Sequence, residues 1–173
     1  MKSERGMTLI ETLLVLSVAA LVLVATAAYS IPWIARENMR GAVYDLQTFL
    51  QLTRIEAVSR NRDCRMVVDT STRRLQVLDT NGTSATTDDA QLYTRTLPSS
   101  ITFARPDSGV AVGFSQIGGG SSYEVIYTSD GMVTTGVGSA HLFGGQRYGR
   151  ISVFGAGGTA VERWNGSSWQ SGS

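Results

Sequence analysis

The sequence predicts an α+β chain: a long N-terminal transmembrane-plus-stalk α-helix, then an all-β, antiparallel globular domain. Three observations carry that reading. From Thr12 to Ala35 no residue is charged, and Leu, Val and Ala dominate. From Arg36 to Arg60 a helical period persists, but the apolar residues retreat to one face. After Asn61 the pattern breaks into short β-type runs, and 14 of the 19 glycines fall between Gly109 and Gly158, as many turns and bulges require.

The first element is the apolar run. As a helix it would extend roughly 36 Å at about 1.5 Å per residue, enough to cross a hydrocarbon core of about 30 Å. A helix apolar on every side and this long suits a membrane better than the core of a small domain. A cleaved secretory signal is the competing reading, with Lys2 and Arg5 as its basic region and Ala25-Thr26-Ala27 as a small-residue cleavage site. The run exceeds a signal's usual apolar length, and Glu11 interrupts its start.

The second element continues the helix. Met39, Val43, Leu46, Leu50 and Ala57 recur at spacings of three, four and seven, which marks one buried face. Pro32 lacks a backbone donor and predicts a kink between span and stalk. Asn61 is the expected stop.

Strands are expected at Arg65–Asp69, Leu75–Asp79, Gln91–Leu97, Ile101–Ala104, Val110–Ser115, Tyr123–Thr128, Met132–Thr135, Ala140–Phe143, Arg150–Phe154 and Thr159–Trp164. Thr70–Arg74 and Asp130-Gly131 read as hairpin turns, and Asn81 to Asp89 as a polar loop in which Asp88 and Asp89 are solvated. The expected division is therefore 1–6 leader, 7–35 membrane and assembly helix, 36–61 stalk, 62–164 β-rich domain and 165–173 flexible tail, with Trp169 able to dock.

Composition removes most chemistry. The formal charge is +1 from 15 basic and 14 acidic residues, so no strong basic field exists to capture nucleic acid. One cysteine, Cys64, and one histidine, His141, exclude an internal disulfide and any Cys- or His-rich metal centre. Cys64 reads as a small buried residue, although a lone thiol in an oxidising envelope could cross-link to a partner. His141 lies in Ala140-His141-Leu142-Phe143 and reads as an ordinary strand histidine. Gly118-Gly119-Gly120 and Gly155-Ala156-Gly157-Gly158 lack the Lys-Ser/Thr and following helix of a phosphate loop and read as turns. No catalytic constellation, cofactor site or metal site is expected, and the chain is not read as an enzyme.

The sharpest signal is Arg5-Gly6-Met7-Thr8-Leu9-Ile10-Glu11. A carboxylate beside a transmembrane run costs about 2.5–3.5 kcal/mol at a helix centre and less toward its end, so such a residue is functional by default and wants a cation. The span offers none before Arg36. Cutting after Gly6 would create an α-amine at Met7, one turn from Glu11, and a neighbouring helix could present that amine to it. The alternative is a glutamate that snorkels to the interface.

These residues resemble the processing motif of type IV prepilins and type II secretion pseudopilins, with Met7 in place of the commoner Phe. The resemblance implies cleavage after Gly6 by a prepilin peptidase, N-methylation of Met7, and filament assembly in which Glu11 contacts a neighbour's N-terminus. Within that class the chain is similar to the GspH/FimT-type minor pilins. Arg54-Ile55-Glu56-Ala57 with Arg60-Asn61, the Asp130-Gly131 hairpin, and Arg150-Ile151-Ser152-Val153 before a Gly-rich turn carry this likeness. It implies a pilin-like fold and a non-enzymatic subunit of a type II secretion pseudopilus or a type IV pilus. Its partners would be other pilins, the peptidase/methyltransferase and the inner membrane, with the β domain in the periplasm. Some FimT-like relatives take up DNA through a Gly-Arg-x-Arg segment. Here Gly149-Arg150-Ile151-Ser152 keeps three of the four places, which makes Arg147 and Arg150 candidate DNA contacts; the fourth place and nearby Glu162 weigh against them. A secreted β-domain is the remaining alternative.

Overall fold

The computed structural model describes residues 8–83 and 86–171. The chain divides into two compact units, Met1–Ala35 and Arg36–Ser173. Helix α1, Leu9–Arg60, contributes to both and remains helical at Pro32.

In the first unit the apolar side chains are exposed, among them Leu13, Leu16, Leu21 and Val24. The most apolar 18-residue window of the helix has a mean hydropathy of 2.4 and nothing in it is buried. Its hydroxyls turn inward onto their own helix. Thr12, Ser17, Thr26 and Ser30 donate to the carbonyls of Leu9, Leu14, Val22 and Thr26, each at 2.8 Å. Every one of these polar groups is thereby satisfied without water, which is what a hydrocarbon environment demands.

In the second unit α1 buries the stripe that its spacing announces: Met39, Val43, Leu46, Leu50 and Ala57, joined by Ala42 and Thr53. Leu46 and Leu50 are fully buried, each worth roughly 1.5–3 kcal/mol of removed apolar surface. The helix ends in a Schellman motif. Asn61 adopts φ 52°, its N–H donates to Val58 O at 3.3 Å, and the Arg62 N–H donates to Ala57 O at 3.2 Å. Asparagine tolerates the left-handed conformation that this stop requires.

Among the described residues eleven strands follow: β1 Cys64–Asp69, β2 Arg74–Asp79, β3 Ala90–Thr96, β4 Thr102–Phe103, β5 Ser115–Gln116, β6 Ser122–Tyr127, β7 Val133–Thr135, β8 Gly138–Gly144, β9 Arg147–Val153, β10 Thr159–Trp164 and β11 Trp169–Ser171. They form two sheets with every pairing antiparallel. The first has the order β3-β2-β1-β6-β5 with β7 also on β6, and the second has the order β11-β10-β9-β8-β4. The helical stripe and the inward residues of both sheets, including Met66, Val68, Leu75, Tyr127, Leu142, Ile151 and Val153, make one core.

One glycine lets the helix approach the second sheet, and another lets the β9–β10 turn meet the β6–β7 turn. A Cβ on Gly149 would lie 2.9 Å from both Met39 Cε and Val43 Cγ2. Gly157, at φ +79°, would place one 2.0 Å from Gly131 O. Neither position has room for a larger residue, and at the second the backbone conformation also excludes one. Arg54 crosses this contact and donates through Nη1 to Gly157 O at 3.4 Å.

Three sequence expectations change. Of Val110–Ser115 only Ser115 enters a strand, while Val112 forms an isolated bridge with Ala140 and the Gly113 N–H donates to Ser139 O at 2.8 Å. The segment is pressed onto β8, where Gly138 has no Cβ to obstruct Gly113 O. Residues 169–171 pair with β10, so this part of the expected flexible tail is a strand. Asn165 closes that hairpin by accepting the N–H groups of Ser167 and Ser168 on Oδ1 at 2.9 and 2.8 Å. The Trp164 and Trp169 rings meet across it at 5.3 Å, a cross-strand aromatic pair of the kind that stabilises short ladders.

The third change is Asp89, whose side chain is only 3% exposed rather than solvated. Arg65, equally enclosed, lies between two carboxylates: Nη1 is 3.4 Å from Asp89 Oδ2, and Nε is 3.3 Å from Glu124 Oε2. These are charge pairs without hydrogen-bond alignment, so the facing oxygens keep unfilled acceptor capacity. Burial pushes the Asp89 carboxyl up from its ordinary range against the pull of Arg65. Replacing Arg65 by Met strands two buried carboxylates and should cost about 3–5 kcal/mol. Urea titration of the detergent-solubilised chain measures that loss. Adding Asp89→Asn and Glu124→Gln to the same chain should recover most of it.

Candidate functional site

Two regions hold the residues singled out from the sequence. Gly6 and Met7 lie outside the described residues. Immediately after them, Thr8 caps α1: its carbonyl accepts the N–H groups of Glu11 and Thr12 at 3.1 and 3.2 Å, and its Oγ1 accepts the Glu11 N–H at 3.4 Å. Thr8-Leu9-Ile10-Glu11 thus has the spacing of a capping box. Glu11 stands in the first turn, where the helix dipole favours a negative charge by about 0.3–1 kcal/mol. That is less than the cost of bringing a carboxylate into hydrocarbon, so capping alone does not explain a glutamate here. Among the described residues no cation pairs with it, and Leu9, Ile10, Leu13 and Leu14 around it are exposed.

The second region is the outer face of the β8–β11 sheet. Arg147 and Arg150 sit three residues apart on β9, an odd spacing that turns them to opposite faces. The structure therefore does not bring the two candidate DNA contacts together. Arg147 is exposed, whereas Arg150 is occupied. Its Nε donates to Glu162 Oε2 at 2.7 Å, its Nη2 lies 2.5 Å from the same oxygen, and its guanidinium lies 4.7 Å from the centroid of the Trp169 ring. The register that pairs Glu162 with Arg150 turns an acid seen in sequence as a nearby nuisance into a committed partner.

His141 adjoins this cluster, opposite Arg150 in the β8–β9 register and only 4% exposed. Its Nδ1 lies 3.0 Å from Ala111 O, its Nε2 is buried without a partner, and its ring meets Trp169 at 5.3 Å. Burial is the main force holding its pKa below the ordinary histidine value. The Ala111 carbonyl opposes that effect, and the charges of Arg105 and Arg150 add to it. Sequence reading assigned His141 to the strand but missed its neighbours, because Trp169 reaches it only through the hairpin.

Potential nucleophiles elsewhere are inert. Cys64 is fully buried, and burial followed by the Asp79 charge pushes its thiol up to about 11. Tyr127 is also fully buried, and burial pushes its hydroxyl up to about 12. Among the described residues no group of His, Cys, Asp and Glu could hold a metal ion.

Comparison with known proteins bears on the whole chain. The family described as "Type II transport protein GspH" matches residues 42–157, and "Prokaryotic N-terminal methylation motif" matches residues 1–27. Among solved structures, the chain is similar to the minor pseudopilin EpsH from the Type 2 Secretion System of Vibrio cholerae. That likeness has a TM-score of 0.50 at 18% identity and covers 72% of this chain and 95% of that one. The type IV minor pilin FimU of Pseudomonas aeruginosa (strain PAO1) gives 0.51 at 16% identity, covering 78% and 94%. No curated protein matches the chain. At these identities the structural likeness speaks for the fold.

The burial of Cys64 has a direct test. In the folded chain at pH 8, iodoacetamide should leave Cys64 unmodified over hours, and in urea labelling should be complete within minutes. Labelling at the same rate in both conditions would place the thiol at the surface.

Proposed function

Because the chain belongs to the GspH family, we propose that this minor pseudopilin or pilin subunit works as a non-enzymatic, single-pass building block of a type II secretion pseudopilus. In this reading a prepilin peptidase removes residues 1–6 on the cytoplasmic side, Met7 becomes the N-methylated first residue, and the β domain lies in the periplasm. The family's description favours the secretion pseudopilus over the type IV pilus.

The observation that supports assembly through α1 is that Glu11, in its first turn, meets no cation among the described residues and stands beside the exposed Leu9, Ile10, Leu13 and Leu14. Lipid can cover the apolar surface, but it supplies no cation at that depth. Cleavage would make one, since a methylated amine keeps its charge. Within one mature chain the new amine would lie four residues before Glu11 in sequence, and the Glu11 N–H is already committed to Thr8. A neighbouring subunit displaced along the filament can bring its own amine to Glu11, where the low dielectric strengthens the pair. The attraction then selects axial register, while the apolar contact supplies adhesion. The occupied state of Arg150 and its separation from Arg147 argue against the DNA-uptake alternative.

Two variants test this. Gly6→Ala should leave the precursor uncut, whereas the wild-type chain extracted from membranes should show, by intact mass, an N-methylated Met7 start. A soluble chain beginning at Ala28 would establish the secreted reading instead. Glu11→Val should insert in the membrane at least as well as wild type, because the desolvation cost has gone. Its incorporation into filaments should fall by about tenfold to a hundredfold, as expected for a lost charge-assisted contact of about 1.5–3 kcal/mol. Undiminished incorporation would remove Glu11 from the assembly contact.

A further inference from the structure

We propose that His141 is a proton-sensitive latch for the C-terminal hairpin: neutral, it accepts Trp169 as a cover, and protonated, it releases β11 from the outer face of the sheet. The geometry begins with the ring's two nitrogens. Nδ1 faces the Ala111 carbonyl at 3.0 Å, so the neutral ring carries its hydrogen there. Nε2 is then the bare nitrogen, and it is buried with no partner. A second proton can arrive only at that buried atom.

Among the described residues the surroundings offer that proton no free carboxylate, although the charge of Asp107 favours it. From the segment between β4 and β5 come Arg105 and Asp107, from β9 comes Arg150, and from β10 comes Glu162. Each carboxylate is already committed. Asp107 accepts Arg105 Nε and Nη2 at 2.7 and 2.5 Å, and Glu162 accepts Arg150 Nε at 2.7 Å, with Nη2 2.5 Å away. β11 brings only Trp169, Gln170 and Ser171. A cation beside an indole can gain about 0.5–2 kcal/mol, but this indole already covers Arg150 at 4.7 Å. Protonation therefore adds a buried charge beside two ion pairs whose carboxylates are already taken by Arg105 and Arg150.

The cheapest relief is to open the cover. β11 has three residues and three register pairs, all with β10, and its last two residues are exposed. No other strand pairs with it. The latched state holds the imidazole below the free-ring value of about 6.5, so the open state binds the proton more tightly. The latch is accordingly complete above that pH. Below it, the open fraction rises by up to tenfold for each pH unit until the latched ring itself titrates.

Hydrogen exchange of the full-length chain in detergent micelles reads this directly. After correction for intrinsic rates, protection of residues 165–171 should fall between about pH 7 and pH 5.5, by at most about eightfold, while that of β1 and β2 holds. In His141→Gln the hairpin should keep the same protection at both values. Unchanged protection in the wild-type chain, or the same loss in His141→Gln, overturns the latch. Should that variant fail to fold, the chain's one histidine gives a single imidazole titration by NMR. Its midpoint must fall below the free-ring value and coincide with the loosening of the hairpin; a midpoint at or above that value, or a mismatch of more than about one unit, overturns the proposal equally.

Discussion

The constraint that governs this chain is that α1 must keep every backbone and side-chain polar group satisfied in two different solvents. Where the helix lacks a protein neighbour, the hydroxyls of Thr12, Ser17, Thr26 and Ser30 bond to its own carbonyls and most of its exposed side chains are apolar. From Met39 onward the solvent on one side becomes protein, and the apolar residues narrow to the stripe that meets the two sheets. Glu11 is the one charge set against the first regime. It is tolerated at the helix start because the dipole and the Thr8 cap ease it there.

The second unit answers the same constraint with closer tailoring. The helix approaches the sheet where Gly149 removes a side chain, and Arg54 spans the gap near Gly157. Some polar groups that enter the interior arrive with company, whereas the Tyr127 hydroxyl and His141 Nε2 do not. Asp69, pushed up by partial burial, is nonetheless held well below the usual carboxylate range by hydrogen bonds from Ser71 and Thr72. It also accepts the Ser121 hydroxyl and so ties the β1–β2 turn to the start of β6. Arg65 between Asp89 and Glu124 is the exception in quality, since two carboxylates share one imperfectly aligned cation. Such a cluster adds little stability, but losing one member is severe.

Much of this was legible in the sequence because it depends on local period and composition. The uncharged run, the stripe from Met39 to Ala57, the stop at Asn61 and the Asp130-Gly131 turn each follow from neighbours within a few residues. What was hidden depends on pairings across long sequence separation. Asp89 reads as a loop acid until it is set against Arg65. Residues 110–115 look like a strand by alternation, yet they lie against β8 because Gly138 leaves room there. The hairpin at 164–169 has the polar, glycine-containing composition of a loose end, and only the tryptophan pair across it makes a strand worthwhile. Arg147 and Arg150 look like one basic patch in a linear reading and separate once strand parity is applied.

The inward-turned hydroxyls of the span have a consequence for selectivity. With Thr12, Ser17, Thr26 and Ser30 all engaged by their own helix, the surface presented to a neighbour is a field of Leu, Val, Ile and Ala with little chemical individuality. Surfaces of this kind adhere to any helix of similar shape and distinguish poorly among them, because discrimination requires a directional group that a wrong partner leaves unsatisfied. A filament built through such helices can therefore mix different subunits in one shaft. Any choice among partners would then fall to directional groups outside that field, such as the charged and aromatic side chains that this chain carries on its β domain.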